Sequence, residues 1–363
     1  CSLIQCGNNG RCERDSEGGF PTCVCENGFE LRDGQCREAS ADGDGDADVD
    51  GDSDVDGDAD ADTDEDEDAD IDQDVESDAD QGCVWSEFHS PLVVTNVNSP
   101  TANDYGPSIS SDGRELFFAS DRGGDPAGLY MASRLSTATT FDSANPLLLV
   151  NSADEVSESP SISRNGLELF FERNANDDSQ CGAYQSIWRA TRSSEAGDFS
   201  NPECAVGVRT ERRERGPEIS FDGRILYYHS SAHPSPNEST DFRLHQVDRE
   251  VTGPEFDVST TDTIDVEVGS RIASAPTISS DGLTLIFQVT GSIADDTDIW
   301  MSTRESLEDE FTTASAITVL STTEYLESGP ELSEDGATLY FNRKGHSGGN
   351  YWDIWYVVRD CVQ

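Results

Sequence analysis

The chain has 363 residues and carries 74 Asp and Glu against 23 Lys and Arg, which gives a formal net charge of −51. Proteins that bind nucleic acids neutralise phosphates with Lys and Arg, so this charge excludes a nucleic-acid partner. The sequence contains no run of 18 apolar residues, so we expect no transmembrane segment.

Cysteines are concentrated at the start of the chain, where six of the ten lie within residues 1–36. A segment this short cannot bury a sizeable apolar core, so we expect a module held by disulfides and made in an oxidising compartment. A zinc site is the alternative, because Cys23 and Cys25 are close in sequence, although zinc sites use four ligands at wider spacings. The sequence therefore favours an extracytoplasmic protein that is secreted, periplasmic or displayed on a cell surface.

The spacing Cys1-x4-Cys6-x5-Cys12-x10-Cys23-x-Cys25-x2-Gly-Phe-x6-Cys36 over residues 1–36 resembles an EGF-like domain. The resemblance implies the pairs Cys1–Cys12, Cys6–Cys23 and Cys25–Cys36. A chain that begins with cysteine also fits a lipoprotein whose first residue is acylated, and a lipid anchor at Cys1 is the alternative. An acylated Cys1 could not form its disulfide, so we favour the bridge. The EGF-like module is expected over residues 1–38.

Residues 39–80 contain 22 acidic side chains and no basic one. One-sided charge and low hydrophobicity predict a disordered linker over residues 39–82. Two Asp-rich cassettes match the first half of an EF-hand loop, and their candidate calcium ligands are Asp46, Asp48, Asp50, Asp52, Asp54 and Asp56. The glutamate expected at the twelfth loop position is missing from both cassettes, so a plain linker is favoured and weak calcium binding is the alternative. No cofactor is required by the sequence, and Ca²⁺ is the one ion that it suggests.

A unit repeats five times from Cys83 onward, and each copy contains a proline followed five residues later by Asp-Gly or Asn-Gly. The five copies are GPSISSDGRELFFAS, SPSISRNGLELFFER, GPEISFDGRILYYHS, APTISSDGLTLIFQV and GPELSEDGATLYFNR. Asx-Gly pairs suit the two positive-φ positions of a type I′ turn, so each copy predicts a tight β-hairpin. The apolar runs after the turns are typical of strands buried on both faces.

Each hairpin is followed by a third apolar segment, and a fourth begins after a recurrent phenylalanine. The third segments are residues 128–134, 186–192, 241–247, 298–304 and 353–359, and the phenylalanines are Phe88, Phe141, Phe199, Phe256 and Phe311. The first fourth-strand segment, near residues 91–97, precedes the first hairpin. This circular offset predicts that it completes the last blade of a closed propeller. The place where the N-terminal strand joins the last blade is here called the seam. A Cys83–Cys361 disulfide would lock the seam, and a Cys181–Cys204 disulfide would form within the second unit.

The hairpin motif resembles the WD40-like PD40 repeat of TolB-type propellers and covers all five units. TolB propellers have six blades, so their particular partners do not carry over. We therefore expect an all-β fold with a five-bladed propeller of four-stranded blades over residues 83–363. The resemblance implies an extracytoplasmic interaction platform, most simply a monomer, that binds an extracellular or envelope protein or glycan.

Five residues follow the repeated prolines directly and are candidates for binding at one mouth of the central channel: Ser108, Ser161, Glu218, Thr277 and Glu331. The two carboxylates suggest a glycan-cleaving enzyme as the alternative function, which requires them to face each other about 5–10 Å apart. No catalytic motif accompanies them, so we expect a non-enzymatic binding protein. The recurrent Ser110, Ser163, Ser220, Ser279 and Ser333 are expected to support the turns with their hydroxyls.

Overall fold

The computed structural model describes residues 84–174, 181, 185–205, 207–208, 213–231, 242–250, 253–291, 297–322, 324–345 and 351–362, together with the backbone of four strands before residue 39. The chain divides into two units, Cys1–Ser77 and Asp78–Gln363. Within the described residues, no helix is long and apolar enough to cross a membrane.

The first unit contains two short antiparallel hairpins. Strand β1 (Gly10–Glu13) pairs with β2 (Thr22–Cys25), and β3 (Phe29–Arg32) pairs with β4 (Gln35–Glu38). The three disulfides expected here depend on side chains outside the described residues. The six candidate calcium ligands between Asp46 and Asp56 and the acidic segment 39–82 also lie outside them.

The second unit contains five sheets of four antiparallel strands, here called blades 1 to 5. Two short strands come first, β5 (Val84–Trp85) and β6 (Leu92–Val93). Blade 1 comprises β7 (Asp104–Ile109), β8 (Glu115–Ser120), β9 (Gly128–Ser133) and β10 (Asn145–Pro146). Blade 2 comprises β11 (Val156–Ile162), β12 (Glu168–Asn174), β13 (Ser186–Thr191) and β14 (Ser200–Cys204).

The remaining blades follow the same order. Blade 3 comprises β15 (Glu214–Ile219), β16 (Ile225–Ser231), β17 (Phe242–Arg249) and β18 (Phe256–Ile264). Blade 4 comprises β19 (Ile272–Ile278), β20 (Thr284–Thr290), β21 (Thr297–Thr303) and β22 (Ser315–Ala316). Blade 5 begins with β23 (Leu326–Leu332), β24 (Thr338–Lys344) and β25 (Trp352–Val358), and β26 (Cys361–Val362) ends the chain.

The ring of blades is closed by strands from the two ends of this unit. Strand β6 pairs with β25 and supplies the fourth strand of blade 5. Strand β5 pairs with β26 beside it. The predicted five-bladed propeller, with an N-terminal strand completing the last blade, is therefore confirmed. Cys361 is disulfide-bonded, and its predicted partner Cys83 lies outside the described residues.

The hairpin turns differ from the predicted type I′ geometry. The glycine of each Asx-Gly pair has a positive φ of 67° to 72°, but the Asx residue before it does not. Each glycine N–H donates to the carbonyl of the recurrent serine three residues earlier. This is a type I turn followed by a left-handed glycine, in a loop longer than two residues. The prediction of a type I′ turn was wrong because the serine hydroxyl, which accepts the N–H at the start of the second strand, sets a longer loop.

An arginine near the end of each third strand links the turn of its blade to the recurrent phenylalanine. Each Nε donates to the carbonyl of the turn glycine at 2.5–2.8 Å, and each guanidinium lies 4.4–5.1 Å from the phenylalanine ring centre. These five residues are Arg134, Arg192, Arg249, Arg304 and Arg359. The repeated contact explains why arginine and phenylalanine recur at fixed positions: a planar cation bonds the carbonyl through its edge and stacks through its face.

The apolar core lies between neighbouring blades. The second strands carry runs of three side chains with at most 4% exposure, such as Leu116–Phe118 and Leu169–Phe171. Both faces of each blade pack against another blade, which is why apolar residues occupy consecutive positions. Blade 2 also contains a disulfide between Cys181 and Cys204, with Cα atoms 5.7 Å apart.

Candidate functional site

Every innermost strand contains a β-bulge at the residue before the repeated proline. These residues, Gly106, Ser159, Gly216, Ala275 and Gly329, all have φ between 46° and 61°. The pairing register with the second strand shifts at the same place in all five blades. A bulge bends a strand and redirects side chains. Here it separates two tiers of residues, one before the bulge and one after the proline.

The tier after the proline forms a closed ring of hydrogen bonds around the channel, which we call the channel ring: Ser108, Ser161, Glu218, Thr277 and Glu331. Each ring side chain accepts a backbone N–H from the neighbouring blade. The donor is the residue directly after that blade's own ring residue. The donors are Ile162 (3.1 Å), Ile219 (3.0 Å), Ile278, Leu332 (3.2 Å) and Ile109 (2.9 Å). All five ring residues are at most 8% exposed.

The two carboxyls of the channel ring are in contact. Glu218 accepts hydrogen bonds from the hydroxyls of Ser161 and Thr277, both at 3.0 Å, and Glu331 accepts one from Ser108 at 3.1 Å. The carboxyls also share a hydrogen bond with each other. Burial raises the pKa of Glu218 to about 7. Burial and the charge of Glu218 raise the pKa of Glu331 well above its usual value, so the pair holds a proton between them.

The structure thus brings together all five residues that the sequence proposed for the channel mouth, and it places them inside the channel. Their buried positions follow from the bulge, which directs this tier towards the neighbouring blade. Two carboxyls joined by a hydrogen bond leave no space for a glycosidic bond between them, because glycosidase pairs are separated by about 5 Å or more.

The open mouth is a cavity of about 720 Å³ at the end of the channel where the innermost strands begin, here called the funnel. The innermost tier before the bulge supplies Tyr105, Glu158, Arg215, Ser274 and Ser328. The ends of the second strands and the starts of the third strands supply Asp121, Glu172, His229, Gln288, Thr290, Asn342, Lys344, Phe242, Thr297 and Trp352. This volume is typical of small-molecule sites.

Blades 1 to 3 contribute a charged cluster to the funnel. The Tyr105 hydroxyl donates to Glu158 at 2.6 Å, and Arg215 Nε donates to Glu172 at 2.7 Å, with Glu158 3.9 Å from the same guanidinium. Burial raises the pKa of Glu172, and the nearby charge of Glu158 adds to the effect. The charge of Glu172 raises the pKa of Arg215. The acids on this side are therefore already engaged by donors of the protein.

His229 lies at the edge of this cluster as a neutral ring. Its Nδ1 accepts the Ala275 N–H at 3.2 Å, which assigns the proton to Nε2. Burial lowers its pKa well below 6.5, and the charge of Arg215 acts in the same direction. His229 is thus a neutral donor at physiological pH.

Blades 4 and 5 contribute a different surface. The position two residues before the proline holds Tyr105, Glu158 and Arg215 in blades 1 to 3, but only the small residues Ser274 and Ser328 in blades 4 and 5. Amides and hydroxyls surround the space that these small side chains leave, including Asn342, whose Oδ1 accepts the Gly106 N–H at 2.8 Å. Small residues at two of five equivalent positions therefore create the open half of the funnel.

A cavity of about 780 Å³ lies at the opposite end, between blades 1 and 5 beside the hairpin turns. Its polar members are bonded within the protein: Arg134 to the Gly113 carbonyl, and Asp112 to Ser110 and Arg114. The funnel differs in receiving side chains from all five blades around the channel axis. We therefore take the funnel as the candidate binding site.

Sequence reasoning missed the funnel residues because they differ between the five copies. The position two residues before the proline holds tyrosine, glutamate, arginine, serine and serine in turn. That variation inside a regular repeat was the available signal. Within the described part of the propeller there is no group of three or more His, Cys, Asp or Glu side chains arranged to hold a metal ion.

No protein-family model and no curated protein matches the chain. Solved structures do match its fold. A thermostable family-43 glycoside hydrolase is 11% identical with a TM-score of 0.52, over 74% of this chain and 92% of that one. A protein of unknown function from Dyadobacter fermentans DSM 18053 is 8% identical with a TM-score of 0.50, over 76% and 99% of the two chains.

TolB from Acinetobacter baumannii is 14% identical with a TM-score of 0.39, over 71% of this chain and 54% of its own length. The chain thus spans about half the length of that protein. At these identities the likeness concerns the fold alone. The fold is a five-bladed β-propeller.

Proposed function

We propose that the chain is an extracytoplasmic binding protein whose propeller recognises a glycan in the funnel. The observation that carries the proposal is the funnel itself. It takes side chains from five blades around the channel axis, and its open half presents hydroxyls, amides and Trp352. Such a surface suits a sugar, which offers many hydroxyl groups and flat apolar faces. A protein partner would instead need a broad interface with apolar anchors.

The disulfide bonds of the protein support the proposed extracytoplasmic location. Cys181 and Cys204 form a disulfide and Cys361 is also disulfide-bonded, and such bonds persist mainly outside the cytosol. The EGF-like spacing of residues 1–36 and the acidic segment 39–82 favour display of the propeller on a tether. Ca²⁺ remains the ion that this tether suggests.

Cleavage of a glycan is the second candidate function, and one observation favours it. Glu158 on β11 and Glu172 on β12 are direct cross-strand partners, and both line the funnel. A carboxyl pair is what a glycosidase needs. Binding is favoured over cleavage because Tyr105 and Arg215 already engage these carboxylates.

The test exposes the full chain to defined oligosaccharides and follows binding by ligand-observed NMR and sugar mass by mass spectrometry. Binding without a change in sugar mass, lost in Trp352→Ala, supports the proposal. Hydrolysis that Glu172→Gln abolishes would instead establish an enzyme. Equal binding by Trp352→Ala and the original chain would move the site away from the funnel.

A further inference from the structure

Lys344 is the only lysine in a chain of net charge −51, and it lies in the funnel. It is the last residue of β24 and the cross-strand partner of Trp352. Its Nζ lies 5.7 Å from the centre of the Trp352 ring, within the range of a cation–π contact. An ammonium group and an aromatic face therefore stand side by side at the funnel wall.

Among the described residues, the acids of the funnel have hydrogen-bond donors, whereas Lys344 has no acidic partner. Asp121 accepts hydrogen bonds from the N–H and the Nδ2 of Asn103, at 2.8 and 2.6 Å. Glu158 and Glu172 accept bonds from Tyr105 and Arg215, as described above. Lys344 forms no ion pair with any residue that the structure describes. Within the described part of the funnel, the charge that a ligand could complement is therefore that of Lys344.

The surroundings of Lys344 restrict the chemistry of that ligand. Gln288 and Thr290 on blade 4 and Asn342 on blade 5 line the same cavity with uncharged polar groups. Gln288 donates to Thr290 at 3.1 Å and Asn342 donates to Ser328 at 3.2 Å, so their remaining lone pairs and N–H groups are what a ligand could use. Trp352 is half-buried, and its backbone N–H donates to the Asn103 Oδ1 at 3.0 Å, which anchors the start of β25 at the funnel wall. A ring with several hydroxyls and one anionic group would meet all of these features.

We propose that the funnel recognises a uronic acid, with the sugar carboxylate paired to Lys344 and the sugar ring against Trp352. This inference rests on the proposed glycan-binding function and names the class of sugar. A charge-assisted hydrogen bond to an ammonium inside a partly desolvated cavity is stronger than one between neutral groups. The propeller as a whole is strongly acidic, so a sugar with one carboxylate binds better than a highly charged polymer.

The experiment uses the full chain and three pairs of disaccharides built on glucose, galactose and mannose. Members of a pair differ only in carrying a CH₂OH group or a carboxylate at C6 of the terminal ring. Isothermal titration calorimetry is expected to show that one acidic member binds roughly tenfold more tightly than its neutral partner. Lys344→Met, which keeps the apolar stem, is expected to lower the affinity for the acidic member to that for its neutral partner.

Arg224→Met is the matched control, because it removes one exposed positive charge outside the funnel. An equal loss of preference in that variant would mean that the overall field, not the contact, selects the acid, and would overturn the assignment. Equal binding of acidic and neutral sugars would contradict the uronic acid and leave the glycan-binding function standing. If no member of any pair binds, both proposals fail.

Discussion

Glu218 and Glu331 place two buried carboxyls in contact inside the propeller, an arrangement that costs free energy unless a proton neutralises one of them. The surrounding donors are well matched to one carboxylate and one carboxylic acid. Glu218 accepts from two hydroxyls and from the Ile278 N–H, and Glu331 accepts from Ser108 and Ile109. The channel ring is therefore complete only while the pair keeps its proton.

We expect the stability that the Glu218–Glu331 pair contributes to the propeller to fall as the pH rises from about 5 to 8. A carboxyl whose pKa is raised by folding binds its proton more tightly in the folded state. The stability that it contributes is therefore lost as the pH rises from the pKa of the unfolded chain towards the pKa of the folded protein. With the pKa of Glu218 at about 7, the loss is roughly 2–3 kcal/mol. Guanidinium unfolding at pH 5 and pH 8 measures it as the difference between the original chain and a variant that lacks the titrating pair.

Glu331→Gln isolates the share of the channel ring in this loss. The amide oxygen still accepts from Ile109 and Ser108, and the amide nitrogen donates to Glu218 without a titrating proton. We expect the variant to lose clearly less stability between pH 5 and 8 than the original chain. Glu327, whose pKa burial also raises to about 7, remains in both. The exposed Glu310→Gln is the control, and a similar pH dependence in all three chains would disprove the shared proton.

The five innermost strands show how far an element can be predicted from its sequence. Their existence, their prolines and their turns follow from the repeat, because hydrophobic pattern and turn residues are local properties. The bulge before each proline was missed. Three of its five positions are glycine, but Ser159 and Ala275 occupy the same left-handed conformation at φ 47° and 46°. Packing between blades enforces that conformation, and no local preference of serine or alanine indicates it.

Strand β18 is the exception among the outer strands. It has nine residues, whereas β6, β10 and β22 have two each. It forms the edge of blade 3, and Val258 on it is 53% exposed. A long edge strand offers unpaired backbone groups to other chains, and charged side chains are a common protection. Asp257 and Asp262, both exposed, supply that charge.

Removing these charges is expected to cause self-association. The double variant Asp257→Val and Asp262→Val leaves an uncharged β-branched edge, and two such edges can pair. Analytical ultracentrifugation at increasing concentration is expected to show dimers or larger species for the variant and a monomer for the original chain. Glu308→Val, which adds an exposed valine away from the edge, is the control. Association of the control to the same extent would mean that surface hydrophobicity alone, not the edge, is responsible.

At the scale of the whole molecule, closure was predictable and the site was not. The circular offset of the repeat requires an N-terminal strand to complete blade 5, and β6 does so on β25. The funnel combines residues from all five blades, so its chemistry depends on blade-to-blade geometry that no single repeat contains. Tyr105 and Glu158 are 53 residues apart in sequence and bonded at 2.6 Å. Their positions in the repeat place them in one tier, but their contact follows only from the bulge.

The seam that closes the ring is expected to contribute more stability per disulfide than the bond inside blade 2. Cys361 is disulfide-bonded, and its predicted partner Cys83 lies 278 positions earlier, whereas Cys181 and Cys204 are 23 apart. Because cross-linking a longer loop removes more entropy from the unfolded chain, replacing Cys83 and Cys361 by serine is expected to cost about 5 kcal/mol, against about 3 kcal/mol for Cys181 and Cys204.

Guanidinium unfolding of the two serine pairs measures this difference, and the original chain under reducing conditions should be less stable than either variant. The β5–β26 and β6–β25 pairings remain when the seam disulfide is absent, so the folded ring is expected to persist with an unchanged circular-dichroism spectrum. If replacing the seam cysteines lowers stability no more than replacing the blade 2 cysteines does, these strand pairings alone close the propeller. In that case the disulfide would add little to the hydrogen bonds and packing that already join the ends of the ring.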